Sequence, residues 1–154
     1  MELIAIDINN AKEVFKIEKE VQQNPWSLNS IESHLNHPKS FSLGIKMDNV
    51  ICAFILALMF DSEVHILNLS VSKEYQRKGV GTKLLNACLV DSIDKAFLEV
   101  RTSNQAAISL YRKNGFKLLG TRKNYYTDNK EDAHLFELDL SQSRGELREV
   151  NSLA

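Results

Sequence analysis

Between Leu69 and Thr82 the chain reads Leu-Ser-Val-Ser-Lys-Glu-Tyr-Gln-Arg-Lys-Gly-Val-Gly-Thr. An apolar strand passes through a loop with two glycines directly into a helix. This segment constrains the fold more than any other, because a strand that feeds a helix calls for a sheet layer and a helix layer. Gly79 and Gly81 let the backbone approach a ligand closely and reach conformations closed to other residues. The first amides of a helix have no partner inside it, and together with the helix dipole they attract anions. Arg77 and Lys78 add positive charge, so the loop suits a pyrophosphate. On spacing alone it serves equally as a plain strand–helix connection. It is neither a Walker loop, lacking a Gly-Lys-Ser/Thr at the required distance, nor a dinucleotide fingerprint, lacking a third glycine.

The flanking segments specify a mixed α/β sheet. Residues 2–6 form a short strand, and Asn9 or Asn10 can cap a helix from Ala11 to about Gln22, with Val14, Ile17 and Val21 inward and Glu18 and Lys19 facing water. Asn24-Pro25 ends that helix. Ser27 caps a second helix carrying Leu28, Ile31 and Leu35. Phe41, Leu43, Ile45 and Met47 alternate with polar or small residues, which predicts a strand with one buried face. Asp48-Asn49 is a hairpin turn. Val50 to Met59 is nearly all apolar, a strand covered on both faces. Asp61-Ser62 turns the chain into a strand from Val64 to Val71. Residues 82–92 are helical, Lys95 to Val100 is a strand, and Asn104 to Asn114 is a helix closed by Gly115. Phe116 to Tyr126 and Asp132 to Leu140 are two closing strands around an Asp128-Asn129 turn. The order is β-α-α-β-β-β-α-β-α-β-β, with antiparallel hairpins first and one right-handed parallel crossover in the middle.

A chain of 154 residues suits one domain, here residues 1–140, followed by a polar tail at 141–154 that lacks periodicity. The net charge of -1 gives no sign of nucleic-acid or membrane-surface binding. No metal is expected, because no Cys/His cluster has zinc spacing. Cys52 and Cys88 lie in apolar stretches and fit buried thiols in a reducing compartment. The beginning of the chain has no basic start or apolar run of a signal peptide, and Val50 to Phe60 is too short to span a bilayer, so a soluble cytoplasmic protein is expected.

Gln76-Arg77-Lys78-Gly79-Val80-Gly81 matches the Gln/Arg-x-x-Gly-x-Gly/Ala signature of the GNAT N-acetyltransferases, in the strand-to-helix context that family requires. Leu98-Glu-Val-Arg-Thr-Ser-Asn104 resembles the family's fifth strand and the turn after it. Ala107 to Phe116 resembles the helix that carries its Tyr-x-x-x-Gly-Phe pattern. Together these cover roughly residues 3 to 140. The resemblance implies a GNAT acyl-CoA N-acyltransferase fold whose fourth and fifth strands splay apart. Acetyl-CoA would be the co-substrate, its pantetheine arm held by the backbone of Leu69, Ser70 and Val71. Its pyrophosphate would lie on Gln76, Arg77, Lys78, Gly79, Val80, Gly81 and Thr82. Asn104 would cap its helix and touch the cofactor arm. The resemblance also implies catalytic roles. Tyr111 would donate a proton to the departing sulfur, where spacing alone describes a core aromatic beside Ala107 and Ile108. Glu99 would act as general base, directly or through water, with its pKa raised by partial burial. On alternation alone Glu99 is a strand residue facing away from Leu98 and Val100, with Arg101 as its partner.

Within the family, Asn24-Pro-Trp-Ser27, Asn68 to Arg77, Lys123-Asn-Tyr-Tyr126 and Glu131-Asp-Ala133 resemble bacterial enzymes that acetylate the N-terminal alanine of small-subunit ribosomal protein eighteen. The last pair belongs to a hairpin that flanks the acceptor groove together with the first helix–helix loop. Tyr125 and Tyr126 are either gates of that groove or ordinary strand residues. Asn24 stands where the subfamily has phenylalanine, and the loop after Tyr126 is shorter and lacks its proline. An α-amine has a pKa of about 7.7–8.0 against about 10.4 for lysine, so a modest base suffices for an N-terminus. The expected partner is thus a protein N-terminus. A lysine or small-amine acetyltransferase and a non-catalytic acyl-CoA-binding module are the alternatives.

Overall fold

The computed structural model describes residues 1–142, so most of the tail expected at 141–154 lies outside the described residues. The strands and helices follow in the expected order. They are β1 (Glu2–Ala5), α1 (Ala11–Val21), α2 (Leu28–Leu35), β2 (Leu43–Met47), β3 (Val50–Phe60), β4 (Glu63–Val71), α3 (Val80–Cys88), β5 (Lys95–Arg101), α4 (Gln105–Lys113), β6 (Lys117–Arg122) and β7 (Ala133–Asp139). Short helical turns precede α1 at Ile8–Asn10 and α3 at Lys73–Tyr75. The chain forms two compact units, one of Met1–Met59 with Ile66–Cys88 and one of Phe60–His65 with the chain from Leu89 onward. β4 begins in the second and ends in the first.

In the first unit the strands lie in the order β1-β2-β3-β4. Asp48 and Asn49 both adopt positive φ, 54° and 64°, the signature of a tight two-residue hairpin whose twist matches its strands. β3 is buried from Ile51 to Ala57, as its unbroken apolar run requires. α1 lays Ala11, Val14 and Ile17 on Ile31 of α2 and on Ile6, Ile51, Phe54 and Leu56. Burying each large apolar side chain contributes about 1.5–3 kcal/mol.

Three local expectations are corrected here. Asn10 holds the N-cap position of α1, as expected, but its side chain makes no cap bond there; the side-chain cap is Asp7, which opens the turn at Ile8–Asn10. Asp7 accepts from the Asn9 amide at 2.9 Å while Asn10 Oδ1 accepts from the Asp7 amide at 2.9 Å, a capping box one turn upstream of α1. β2 is Leu43–Met47 and is covered on both sides, not one. Ser42 and Gly44, on its supposedly open face, are buried, and a Cβ on Gly44 would stand 2.7 Å from Ile6 Cδ1. The small residues are there because β1 and α2 pack close. α3 runs from Val80 to Cys88 rather than over 82–92. After it, the Ile93 amide donates to Val90 O at 2.9 Å, a turn that delivers Ile93 into the core.

In the second unit the order is β4-β5-β7-β6, with β5 paired antiparallel to β7 from Lys95↔Asp139 to Arg101↔Ala133. Asn104 caps α4, accepting from the Ala107 amide at 3.2 Å. The helix closes with paired bonds from Phe116 N–H to Tyr111 O (3.0 Å) and Gly115 N–H to Arg112 O (3.1 Å), with Gly115 at φ 91°. That motif fixes the backbone at Tyr111. β6 stops at Arg122 rather than reaching Tyr126, because its partner β7 begins at Ala133, opposite Arg122, and Asn124 turns the chain at φ 52°. Tyr125 and Tyr126 therefore sit in a loop. No helix among the described residues is long and apolar enough to cross a membrane.

The corrected cap is testable. Asp7→Ala is expected to lower unfolding stability by about 1 kcal/mol, while Asn9→Ala changes it by less than about 0.5 kcal/mol; urea denaturation of both variants checks this.

Candidate functional site

The first unit carries the turn from β4 into α3. At the end of β4, Ser70 is buried and Leu69 and Val71 are half-buried. The Gln76 side chain folds back and donates to Val71 O at 2.9 Å, closing the loop onto the strand that precedes it. Arg77 then adopts φ 61° and Gly79 φ 78°. For arginine that conformation costs about 1–2 kcal/mol, and such strain persists only where the surroundings over-determine it. Nothing lies within 4 Å of the position a Gly79 Cβ would take, so glycine serves the backbone angle there. Gly81 is the second residue of α3, and Arg77 rather than Gly81 is the other residue with a left-handed backbone. Lys83 N–H is the first amide to reach an intrahelical acceptor, Gly79 O at 3.0 Å. The helical amides before it, at Val80, Gly81 and Thr82, face the N-terminal end. Arg77 and Lys78 are exposed beside them.

A second feature of this unit was not legible in the sequence. Glu18, expected to face water, is 1% exposed. Its carboxylate accepts from the Trp26 amide (2.9 Å), Asn68 Nδ2 (2.9 Å) and Ser70 Oγ (3.3 Å). Gln22 Nε2 donates to the same Ser70 hydroxyl at 2.7 Å. Glu20 accepts from Ser72 Oγ at 3.1 Å and from the Lys73 amide at 2.9 Å. Polar side chains at the end of α1 and just after it are thus bonded to the end of β4 and to the turn that follows. The only sequence signal was Asn68 and Ser70 in the otherwise apolar second half of β4, with Ser72 just beyond it.

The second unit carries the titratable pair. Glu99 sits mid-strand on the face opposite Leu98 and Val100, as alternation requires, with its side chain 26% exposed. Its ion-pair partner is Arg122 (3.6 Å) rather than Arg101. The Tyr125 hydroxyl donates to Glu99, and that bond is the main reason the Tyr125 phenol is held above its usual range, with burial second. Tyr111 is 5% exposed, and burial pushes its phenol up, with Tyr126 nearby adding to the shift. Tyr111 therefore stays a protonated donor at neutral pH. Tyr126 is pushed up to about 12, chiefly by burial and against the pull of Arg101. It lies within electrostatic range of both Tyr111 and Glu99.

Arg101 fastens the loop that brings Tyr125 to Glu99. Its guanidinium donates to Asp128 (2.9 and 3.2 Å), Asn129 (3.1 Å) and Glu131 (3.4 Å), and its carbon lies 3.9 Å from the Tyr126 ring centroid. Glu131 also accepts from the Ser103 amide at 2.8 Å. Hydrogen bonds from Arg101 and Ser103 hold the Asp128 and Glu131 carboxyls, respectively, below their usual 3.8 and 4.5. A depressed carboxyl contributes stability above its unfolded value and loses it only as pH falls through the lower folded value. The clamp therefore outlasts the ordinary carboxylate range on acidification.

Residues 10–116 match the acetyltransferase (GNAT) family model. The chain is 31% identical over 144 residues to the ribosomal protein bS18-alanine N-acetyltransferase of Escherichia coli strain K12, covering 89% of this chain and 96% of that protein. It is 41% identical over 81 residues to an N-alpha-acetyltransferase of Sulfurisphaera tokodaii, covering 49% and 48% of the two chains. The crystal structure of the Escherichia coli ribosomal-protein-S18-alanine N-acetyltransferase superposes with a TM-score of 0.82 at 29% identity, covering 91% of this chain and 94% of that one.

Removing the clamp is expected to free the loop. In Arg101→Ala, amide exchange at Ser103 and Lys130 rises by roughly tenfold or more. The Tyr125 phenol titrates nearer its ordinary value as its contact with Glu99 loosens. Hydrogen exchange and an ultraviolet pH titration measure the two effects.

Proposed function

The chain belongs to the GNAT acetyltransferase family, and from that premise we propose that it transfers the acetyl group of acetyl-CoA to the α-amine of an N-terminal alanine on a protein. The acceptor is a small-subunit ribosomal protein, in the manner of the Escherichia coli relative. The observation that carries the reading is the turn from β4 into α3. Arg77 and Gly79 take left-handed conformations just before α3, whose first intrahelical bond runs from Lys83 N–H to Gly79 O. A pyrophosphate is the kind of anion that the leading end of a helix attracts. Leu69, Ser70 and Val71 hold the pantetheine arm through their backbone, Gln76 keeps the loop closed, and Arg77 and Lys78 neutralise phosphate charge. Asn104, besides capping α4, contacts the arm.

Glu99 and Tyr111 supply the proton transfers. The amine nitrogen attacks the thioester carbonyl and gives up a proton to Glu99, directly or through a water. The carbon–sulfur bond then breaks, and the sulfur leaves with a proton from Tyr111. Burial supports this role for Tyr111, since a phenol kept neutral is a ready donor to a developing thiolate. The contacts with Tyr125 and Arg122 support Glu99 as a proton acceptor held in one orientation.

The purified protein is expected to acetylate a peptide beginning with alanine and to leave untouched a peptide with a blocked N-terminus and a free internal lysine. The reverse preference supports a lysine acetyltransferase instead. Tyr111→Phe is expected to lower kcat about a hundredfold with little change in acetyl-CoA affinity. Glu99→Gln is expected to lower the rate most at acidic to neutral pH, where the amine is largely protonated. Equal turnover for Tyr111→Phe, or an unaltered pH–rate profile for Glu99→Gln, removes the respective role.

A further inference from the structure

Glu18 is a carboxylate at 1% exposure whose three donors, the Trp26 amide, Asn68 and Ser70, are all neutral. Burying a charge is costly unless it is paired, and replacing such a group by a neutral one is often harmless to stability. Here desolvation raises the carboxyl and outweighs the lowering by the three hydrogen bonds. A raised folded-state pKa means that the contribution to stability is present below the unfolded value of 4.5 and is lost as pH rises through the folded value. Above the ordinary carboxylate range this acidic group is therefore a net cost to folding. An acidic group kept at a cost points to a task other than stability.

The geometry shows the task. Asn68 and Ser70 belong to β4 and flank Leu69, while Trp26 lies in the loop after α1. β4 is anchored in a sheet. The loop from Gln22 to Ser27 is tied at its start by Gln22 Nε2 to Ser70 Oγ (2.7 Å) and at its end by the Trp26 amide to Glu18 (2.9 Å), and Trp26 packs edge-on to His34 of α2 at 6.1 Å between ring centroids. A carboxylate can accept from all three donors at once, using both oxygens. A glutamine in its place brings an amide N–H toward Ser70 or toward the pair of Trp26 and Asn68, so one side loses its acceptor. We propose that Glu18 is a positioning residue for acyl transfer: its carboxylate holds the loop between α1 and α2 against β4 and thereby sets how tightly the acceptor peptide binds. This rests on the acetyl-transfer reading above, in which that loop lies on the acceptor side, and it assigns Glu18 no contact with the reacting atoms.

The test compares wild type, Glu18→Gln and Asn68→Ala with acetyl-CoA and a peptide beginning with alanine. Hydrogen bonds to a charged group are worth about 1.5–3 kcal/mol, so the acceptor KM is expected to rise about ten- to a hundredfold in Glu18→Gln. kcat and the acetyl-CoA Kd stay within about twofold, and Tm at pH 7 is unchanged or higher. An unchanged acceptor KM in folded Glu18→Gln overturns the proposal. So does a Tm that falls together with kcat, which marks a scaffold role alone. Asn68→Ala keeps the carboxylate but removes one donor. It is expected to raise the acceptor KM in the same direction, and with Glu18→Gln unfolded, a wild-type KM in Asn68→Ala overturns the proposal. Wild type that binds acetyl-CoA but acetylates no peptide overturns the functional reading and this inference with it. Active wild type with indifferent variants overturns only the inference.

Discussion

The passage from β4 into α3 requires two departures from ordinary backbone geometry, at Arg77 and Gly79. Glycine reaches such angles at little cost, and arginine does not. The surroundings hold the arginine there. Gln76 is bonded back to Val71, the Lys73 amide is capped by Glu20, and Gly79 O receives the first intrahelical bond of α3. Everything proposed for the cofactor depends on this turn, because it decides where the leading amides of α3 point. The strain and the ligand site are one feature, as is common where a loop must meet a charged group.

The same economy appears in the second unit. Glu99 lies on a regular strand, so its position follows from alternation, but its surroundings come from elsewhere in sequence. Arg122 at the end of β6 and Tyr125 in the loop beyond it converge on the carboxylate, and Arg101, two residues along β5, secures that loop through Asp128, Asn129 and Glu131. The short loop after Tyr126 needs no proline because charged side chains tie it down. Tyr111 is fixed differently, by the paired bonds that end α4 at Gly115 and Phe116. A rigid strand, a clamped loop and a capped helix thus hold three tyrosines and a glutamate with little freedom left to them.

Much of this was legible in the chain because it is written in local signals. The Asp48-Asn49 turn, the β3 run, the Ser27 and Asn104 caps and the Gly115 terminus are each set by a few neighbouring residues. The errors share one cause, which is contact at long sequence range. Glu18 is buried because Asn68 and Ser70, about fifty residues away, offer donors, and nothing in the helical stripe of α1 announces that. The supposedly open face of β2 is covered by Ile6 and His34, so alternation named only the more apolar of two buried faces. β6 ends early because β7, its partner, begins opposite Arg122, and no propensity reports a register. Glu99 pairs with Arg122 rather than Arg101, whose guanidinium is taken up by Asp128, Asn129 and Glu131. The signature Gln76–Gly81 identified the family, yet only the backbone angles showed that Arg77 carries a left-handed turn while Gly81 lies within the helix.

The most direct measurement is a titration of the isotopically labelled protein with coenzyme A, following backbone amides by nuclear magnetic resonance. The account predicts saturable shifts at Val80, Gly81 and Thr82, with slowed hydrogen exchange at those amides. Saturation without any change at these three residues, or no response to coenzyme A at all, contradicts it.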